Sequence, residues 1–260
     1  MIINPISNFI DVKNNMVASK EILNKCDKKL DKLTFNKTFS ESLDLLDDDI
    51  KNIQMKDLSI KFDDKTILEN INMEIENGKK YIIIGRSGSG KTSILNAILK
   101  RIKVDDNHIF INDMDINSIK FYNKLSCVAQ NNSVFPYTLR ENIVLNNHYD
   151  ENKYRNILEI CNLEHLDDEN EFNIENPSLS GGEIQRINIG RMLYSEKKFL
   201  LLDEAFSALD DNNQIKIQQY ILSREDLTVI SIEHKILPEV IKYYDYKIEI
   251  QDKKCETTKI

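Results

Sequence analysis

The chain of 260 residues lacks any long apolar run. No stretch approaches the roughly 18 consecutive apolar residues that a membrane-spanning helix needs, and Met1 is followed by neither a basic segment nor an apolar secretory core. We therefore expect a chain that cannot cross a membrane by itself.

Paired cysteines and clustered basic residues are also lacking. Cys26, Cys127, Cys161 and Cys255 form no C-x-x-C pair, and the four histidines stand apart from them, so nothing signals a zinc site or a disulfide framework. Reduced, cytosolic thiols are expected.

The net charge of −8, with lysines scattered among acids, argues against a nucleic-acid partner, whose binding depends largely on clustered Lys and Arg contacts to phosphate.

Glycine is scarce, and its placement is informative. Five of the seven glycines fall in two clusters, 85–90 and 181–182. The first matches the phosphate-loop pattern G-x-x-x-x-G-K-[ST], with a short apolar run (81–84) before it and an amphipathic segment (93–100) after it. Glycines let backbone N–H groups turn toward phosphate oxygens. The predicted nucleotide-binding residues are Gly85, Arg86, Ser87, Gly88, Ser89, Gly90, Lys91, Thr92 and Ser93.

Three further short apolar runs, 125–129, 199–202 and 228–232, suit buried parallel strands, and each is followed by a polar residue that ATP chemistry uses. In open α/β sheets, ligands bind at the carboxyl ends of strands. Asp203 is placed to hold Mg²⁺ together with the Thr92 hydroxyl, and Glu204 to orient and deprotonate water. Gln130 and His234 follow the other two runs, although either residue taken singly would more often be a structural hydrogen-bonding residue.

The remaining pattern predicts the domain organisation. Residues 1–49 are expected to form an amphipathic connector helix and a polar tether, and residues 50–250 the main domain. Within that domain, alternating apolar residues from Ile50 to Ile75, followed by an Asn77-Gly78 turn, predict antiparallel strands and a hairpin. Helical periodicity predicts an inserted helical subdomain over approximately 134–190, and residues 251–260 are expected to be a short tail.

The second glycine cluster, Ser180-Gly181-Gly182, opens a helix-like stretch and is typical of an anion site. Because the chain already has a phosphate loop, this motif suggests either another ligand or the same ATP bound by a second copy. Residues 179–183, Leu-Ser-Gly-Gly-Glu, resemble the signature motif of ATP-binding cassette (ABC) proteins. The phosphate loop, Gln130, the signature, Asp203-Glu204 and His234 follow that family's order.

The resemblance covers about residues 50–250 and implies an α/β fold of the P-loop NTPase (RecA-like) type, with an antiparallel β subdomain and an inserted helical subdomain. It implies ATP and Mg²⁺ as cofactors and a head-to-tail pair of domains, expected to be a homodimer. The resemblance also implies a role for each residue. Lys91 holds phosphates, Gln130 senses the metal and the γ-phosphate, and His234 contacts the γ-phosphate. Glu204 is the general base, Asp210 lies in the loop linking the two sites, and Phe62 replaces the usual adenine-stacking Tyr.

Residues 205–210 and 134–143 are similar to segments of the exporter branch, and residues 8–33 resemble the end of an exporter's last membrane helix and its connector. These likenesses imply an ATPase at the cytoplasmic face of a membrane that powers export through a transmembrane partner. One alternative is a soluble ABC ATPase acting on DNA, ribosomes or cluster assembly, although only 49 residues separate Gln130 from Ser180, too few for a long coiled coil. Another is a regulatory cassette that binds ATP without turnover, against which intact Glu204 and His234 argue.

Overall fold

A computed structural model describes residues 43–62, 65–129, 133–169, 171–172 and 179–260. Contacts divide the chain into two compact units, Met1–Asp44 and Leu45–Ile260. The predicted connector helix lies outside the described residues, and so do Gln130 and part of the acidic loop before the signature motif. All predicted site residues belong to the second unit.

The described residues form strands, α-helices and two short 3-10 helices, Ile116–Ser118 and Tyr122–Lys124. The strands are β1 (Asp44–Leu45), β2 (Asn52–Phe62), β3 (Lys65–Glu76), β4 (Lys80–Gly85), β5 (Ile109–Ile111), β6 (Met114–Asp115), β7 (Ile119–Lys120), β8 (Leu125–Val128), β9 (Phe199–Asp203), β10 (Thr228–Ile232), β11 (Tyr246–Gln251) and β12 (Lys254–Lys259). The α-helices are α1 (Lys91–Ile98), α2 (Leu139–Val144), α3 (Glu151–Cys161), α4 (Gly181–Tyr194), α5 (Asp211–Leu222) and α6 (Pro238–Ile241).

The larger sheet has the strand order β12-β11-β4-β10-β9-β8. The five strands from β11 to β8 are parallel, whereas β12 pairs with β11 in the antiparallel direction. The predicted buried parallel strands are therefore confirmed, and β12 arises within the segment that we expected to be a short tail. Because β4, β10 and β9 are neighbours, their carboxyl ends bring the phosphate loop, His234 and Asp203-Glu204 to one edge of the sheet.

The central strands β4, β9 and β10 are largely buried because both faces of the sheet are covered. Ile230 lies opposite both Leu201 and Tyr81, and these three side chains enter the core formed with α1 and the antiparallel sheet. The alternate residues Ile82 and Leu202 enter the core formed with α3, α4 and α5. Neighbouring residues of a strand thus pack into the two different cores on opposite faces of the sheet, as the two-residue period of a strand requires.

The smaller sheet has the order β3-β2-β5-β6 and is antiparallel, which confirms the predicted β subdomain. The predicted turn at Asn77-Gly78 connects β3 to β4, which lie in different sheets. Gly78 has a φ of 75°, and its N–H donates to the Thr228 hydroxyl at 2.8 Å. The turn therefore anchors the smaller sheet beside the start of β10.

Helices α2, α3 and α4 pack against one another as the inserted helical subdomain. A capping box between Thr138 and Glu141 begins α2. Arg191 of α4 donates to the Asn142 backbone and side-chain oxygens at 2.8 and 3.0 Å, which fixes α2 on α4. In the described part of the chain, no helix combines the length and apolarity that a bilayer crossing requires.

Candidate functional site

The phosphate loop joins the end of β4 to the start of α1, and its glycines are required by its backbone. Gly90 has a left-handed φ of 102°. A Cβ atom on Gly90 would lie 2.9 Å from Cγ2 of Ile67 and 3.0 Å from Cγ of Leu68. Gly88 also has a left-handed φ, of 75°. The loop therefore packs tightly while its N–H groups and the start of α1 form a site for an anion.

Lys91, the first residue of α1, is buried at the centre of this loop. Its ammonium group donates to the carbonyl oxygens of Gly85 and Arg86, at 3.0 and 3.1 Å. Only 6% of the residue is exposed. A phosphate oxygen can replace these neutral acceptors with a charge-assisted hydrogen bond, which is stronger.

Thr92 and Asp203 meet beside the loop. The Thr92 hydroxyl donates to Oδ1 of Asp203 at 3.2 Å, and Asp203 is buried. Burial raises the pKa of the Asp203 carboxyl and the neighbouring Glu204 acts in the same direction, whereas the Thr92 hydrogen bond opposes the rise. A divalent cation would favour the ionised carboxylate, and a hydroxyl with one carboxylate suits Mg²⁺, which takes its other oxygens from phosphate and water. Among the described residues, no group of three His, Cys, Asp or Glu side chains forms a metal cluster.

Glu204 and His234 form a pair at the ends of β9 and β10. The distance from Glu204 Oε1 to His234 Nε2 is 2.7 Å. Glu204 has a left-handed φ of 53°, and its N–H donates to the Ile232 carbonyl at 2.9 Å, which ties the turn after β9 to the neighbouring strand. The carboxylate is therefore held at the mouth of the site, where it can accept a proton from water.

These side chains line one cleft of about 350 Å³. Its lining residues are Phe62, Ile67, Ser87, Gly88, Gly90, Lys91, Thr92, Ser93, Glu204 and His234. The Phe62 residue is 47% exposed, so its ring face can stack on a base. Gly85 and Arg86 contribute through the carbonyls that hold Lys91, and a Cβ atom on Gly85 would lie 2.7 Å from Oγ of Ser89.

The second glycine motif lies elsewhere in the molecule. Ser180 caps α4 through a capping box with Glu183, whose carboxylate accepts from both the N–H and the hydroxyl of Ser180 at 2.7 Å. Hydrogen bonds from His165 and Ser180 lower the pKa of Glu183 to about 2. Gly182 packs so closely that a Cβ atom would lie 3.0 Å from the Ala208 carbonyl oxygen.

Asp210 caps α5 by accepting from the Asn213 N–H at 3.1 Å, and this hydrogen bond lowers the pKa of its carboxyl. Within the described residues, neither Asp210 nor Ser180, Gly181 and Gly182 are among those that line the cleft. The predicted site residues thus form two groups on one chain: those at the cleft with Lys91, and the 180–182 motif with Asp210.

Gln185 connects these two groups and was not predicted from the sequence. Its side-chain NH₂ donates to the Glu204 carbonyl at 3.2 Å and to the Ser207 hydroxyl at 3.1 Å, and its side-chain oxygen accepts from the Ala208 N–H at 2.8 Å. Only 3% of Gln185 is exposed. A polar residue at a buried position of α4, two residues after the signature motif, is the sequence signal for this role.

We expect Gln185→Leu to lower ATP turnover by roughly tenfold or more, because it leaves the Ala208 N–H buried without its partner, at about 1–3 kcal/mol, and removes one of the two hydrogen bonds that the Glu204 carbonyl accepts. The KM for ATP should change less, since Lys91 and the loop are untouched. Steady-state phosphate release measures both constants. Asn188→Leu, a matched change one turn further along α4, serves as the control. Wild-type turnover in Gln185→Leu would contradict the positioning role.

Comparison with known proteins identifies the family to which the chain is similar. The family model described as ABC transporter matches residues 68–207. The lacticin-481/lactococcin-DR transport/processing ATP-binding protein lcnDR3 of Lactococcus lactis subsp. lactis is 35% identical over 215 residues, covering 78% of this chain and 30% of that protein. The microcin-J25 export ATP-binding/permease protein McjD of Escherichia coli is 32% identical over 215 residues, covering 77% of this chain and 37% of that protein.

Among solved structures, a bacterial Atm1-family ABC exporter with ATP bound matches the fold with a TM-score of 0.75 at 23% identity, over 84% of this chain and 40% of that one. The chain spans about a third of the length of the curated relatives just described. The similarity therefore concerns one module of these larger proteins.

Proposed function

Because the chain belongs to the ABC transporter family, we propose that it hydrolyses Mg-ATP as a head-to-tail pair of copies and powers export through a transmembrane partner at the cytoplasmic face of a membrane. The observation that carries the proposal is the Glu204–His234 pair, with its 2.7 Å contact, in the same cleft as the Lys91 loop. A domain that only bound ATP would not need a carboxylate held beside the phosphate loop.

The chain's residues divide the chemistry between them. Lys91 and the loop N–H groups bind the β- and γ-phosphates, and Phe62 supplies a ring for the base. Thr92 and Asp203, with Gln130 from the family pattern, would hold Mg²⁺, which when bound neutralises charge on the phosphates. Glu204 orients the attacking water and accepts its proton, and His234 donates a hydrogen bond to the γ-phosphate.

The motif at Ser180 supports a pair of copies. Ser180 and Gly181 are exposed at the start of α4, where the helix dipole and the first N–H groups of the helix favour an anion. They do not share the cleft that contains Lys91 in their own chain. A second copy in head-to-tail orientation would bring this helix start to the γ-phosphate of the first, and the same contact would be repeated at the other site.

The first test is the mass in solution of purified Glu204→Gln protein, measured by light scattering with and without Mg-ATP. We expect the mass to double when ATP binds, because slow hydrolysis preserves the ATP that joins the two copies. Gly181→Asp in the same background places a carboxylate at the helix start and should stay monomeric while still binding ATP. A monomer that contains bound ATP in the Glu204→Gln protein would contradict the homodimer.

The export role has a separate test. We expect a membrane protein to co-purify with the chain from its native source, and ATP turnover to increase when that partner is reconstituted with it. If no membrane protein co-purifies and none is encoded beside the chain, the export proposal is wrong even where ATP hydrolysis is measured. Stimulation of turnover by a polynucleotide would instead favour a soluble role.

A further inference from the structure

Glu233, the residue immediately before His234, is an acid buried inside the domain. Only 7% of it is exposed. It follows β10, and it is two positions from Ser231, so both side chains point to the same face of the sheet, toward α5. The Ser231 hydroxyl donates to Oε1 of Glu233 at 2.5 Å, and Gln218 of α5 is a second hydrogen-bond partner.

The surroundings of this carboxyl are acidic or neutral among the described residues. In the described part of the chain, no Lys, Arg or His side chain forms an ion pair with Glu233. The ionisable groups that face it are the Glu204 and Asp203 carboxyls after and within β9, and the buried Tyr244 hydroxyl before β11. From α5 and β10 it meets the neutral side chains of Gln218 and Ser231.

Burial raises the pKa of Glu233 to about 8, and the Glu204 and Asp203 carboxylates act in the same direction, while the hydrogen bonds with Ser231 and Gln218 oppose the rise. This environment therefore favours the protonated form of the carboxyl. Burying an acid is costly, and an apolar side chain would fill the same space more stably. Because burial of Glu233 beside the site is unfavourable, we look for a role of this residue other than packing.

The network continues away from the site. Gln218 is 2% exposed and accepts from the Gln214 side chain at 3.2 Å, so Glu233 is connected to two successive turns of α5. On the other side, Glu233 is joined by one peptide bond to His234, whose Nε2 lies 2.7 Å from Glu204. The backbone that presents the imidazole is therefore anchored on a helix through this carboxyl.

We propose that Glu233 is a positioning residue for His234: its buried carboxyl, hydrogen-bonded between Ser231 and Gln218, fixes the end of β10 so that the imidazole reaches Glu204 and the γ-phosphate. The inference rests on the proposed function for its consequence in turnover, but the position of His234 can be measured without turnover. Ionisation of the carboxyl places an uncompensated charge in this network and loosens the anchor.

Two substitutions separate anchoring from packing. Glu233→Gln keeps the shape and hydrogen bonds and cannot ionise, whereas Glu233→Leu fills the space without polar atoms. We expect Glu233→Gln to keep kcat at pH 7 within about twofold of wild type, and Glu233→Leu to lower kcat roughly tenfold with little change in the KM for ATP. Glu239→Gln, the same chemical change on an exposed acid of α6, is the control.

The pH profile gives a readout that a packing role would not change. Wild-type turnover should fall as the pH rises through about 8, where the buried carboxyl ionises, and this fall should be smaller in Glu233→Gln.

The pKa of Glu233 in the folded protein lies above the ordinary value of 4.5, so the folded protein retains a proton that the unfolded chain releases. Wild-type stability against urea should therefore decrease relative to Glu233→Gln between about pH 4.5 and pH 8.

The NMR chemical shifts of the His234 imidazole test the anchor directly, with the resonances assigned through His234→Ala. We expect Glu233→Leu to move these resonances, because the ring is no longer fixed beside Glu204, and Glu233→Gln and Glu239→Gln to leave them near their wild-type positions. Unchanged His234 resonances in Glu233→Leu, or wild-type kcat in that variant, would overturn the proposal. Absence of ATP hydrolysis in the wild type, with the expected His234 shifts present, would instead contradict the proposed function.

Discussion

Glu204→Gln is expected to lower the turnover of ATP by about 10²-fold or more while the chain still binds ATP. An amide has the size of the carboxylate and can still meet His234 at the observed 2.7 Å, but it cannot accept a proton from water. The main-chain hydrogen bond from residue 204 to Ile232 does not depend on the side chain, so the turn after β9 is retained. The loss therefore reports the proton transfer itself.

Phosphate release at saturating Mg-ATP measures this loss, and equilibrium titration with ATP shows whether binding is preserved. Glu196→Gln is the matched control, because Glu196 also has a left-handed φ, of 54°, and pairs with Lys153 away from the cleft. That variant should keep wild-type turnover. Unchanged turnover in Glu204→Gln would mean that another group accepts the proton and that the general-base role is wrong.

The phosphate loop was predictable because its requirements are local. Left-handed backbone angles at Gly88 and Gly90 follow from a loop that must turn within a few residues, and only glycine adopts them at low cost. The strands β9 and β10 were predictable for a related reason, since full burial leaves a short, mostly apolar run that is followed by a polar residue. Both signals lie within about ten residues of sequence.

The roles of Gln185 and Glu233 depend on contacts between distant parts of the chain. Gln185 reaches the Glu204 carbonyl 19 positions away, and this contact exists only because α4 packs beside the turn after β9. Glu233 resembles an ordinary polar residue after a strand, and its burial comes from α5 and Tyr244. Periodicity describes which face of an element is apolar, but it does not say which element covers a given polar side chain.

The second glycine motif left two interpretations open, another ligand or the same ATP bound by a second copy, and the resemblance favoured the second. Ser180 and Gly181 open a helix in the same chain as the Lys91 loop, yet the cleft forms without them. In the proposed pair of copies, each chain would supply the Lys91 loop to one site and the Ser180 motif to the other.

Lys91→Ala is expected to weaken ATP binding strongly. In the protein without nucleotide the ammonium group is satisfied by the Gly85 and Arg86 carbonyls, so its removal leaves no charged group unpaired there. In the complex, the same removal leaves phosphate charge in a buried loop without its cation. Truncating one partner of such a pair costs about 2–5 kcal/mol, which corresponds to roughly 30-fold to several thousand-fold in the dissociation constant.

Equilibrium titration with ATP measures the change, and Lys100→Ala is the matched control. Lys100 follows α1 at its opposite end, and its ammonium group also donates to a carbonyl oxygen, that of Ile119, at 2.9 Å. Lys100→Ala should therefore keep wild-type affinity for ATP. A dissociation constant within about twofold of wild type in Lys91→Ala would mean that the loop does not hold phosphate through this cation. Because Glu204→Gln retains binding and Lys91→Ala does not, the two variants together distinguish the residues that bind the nucleotide from those that act on it.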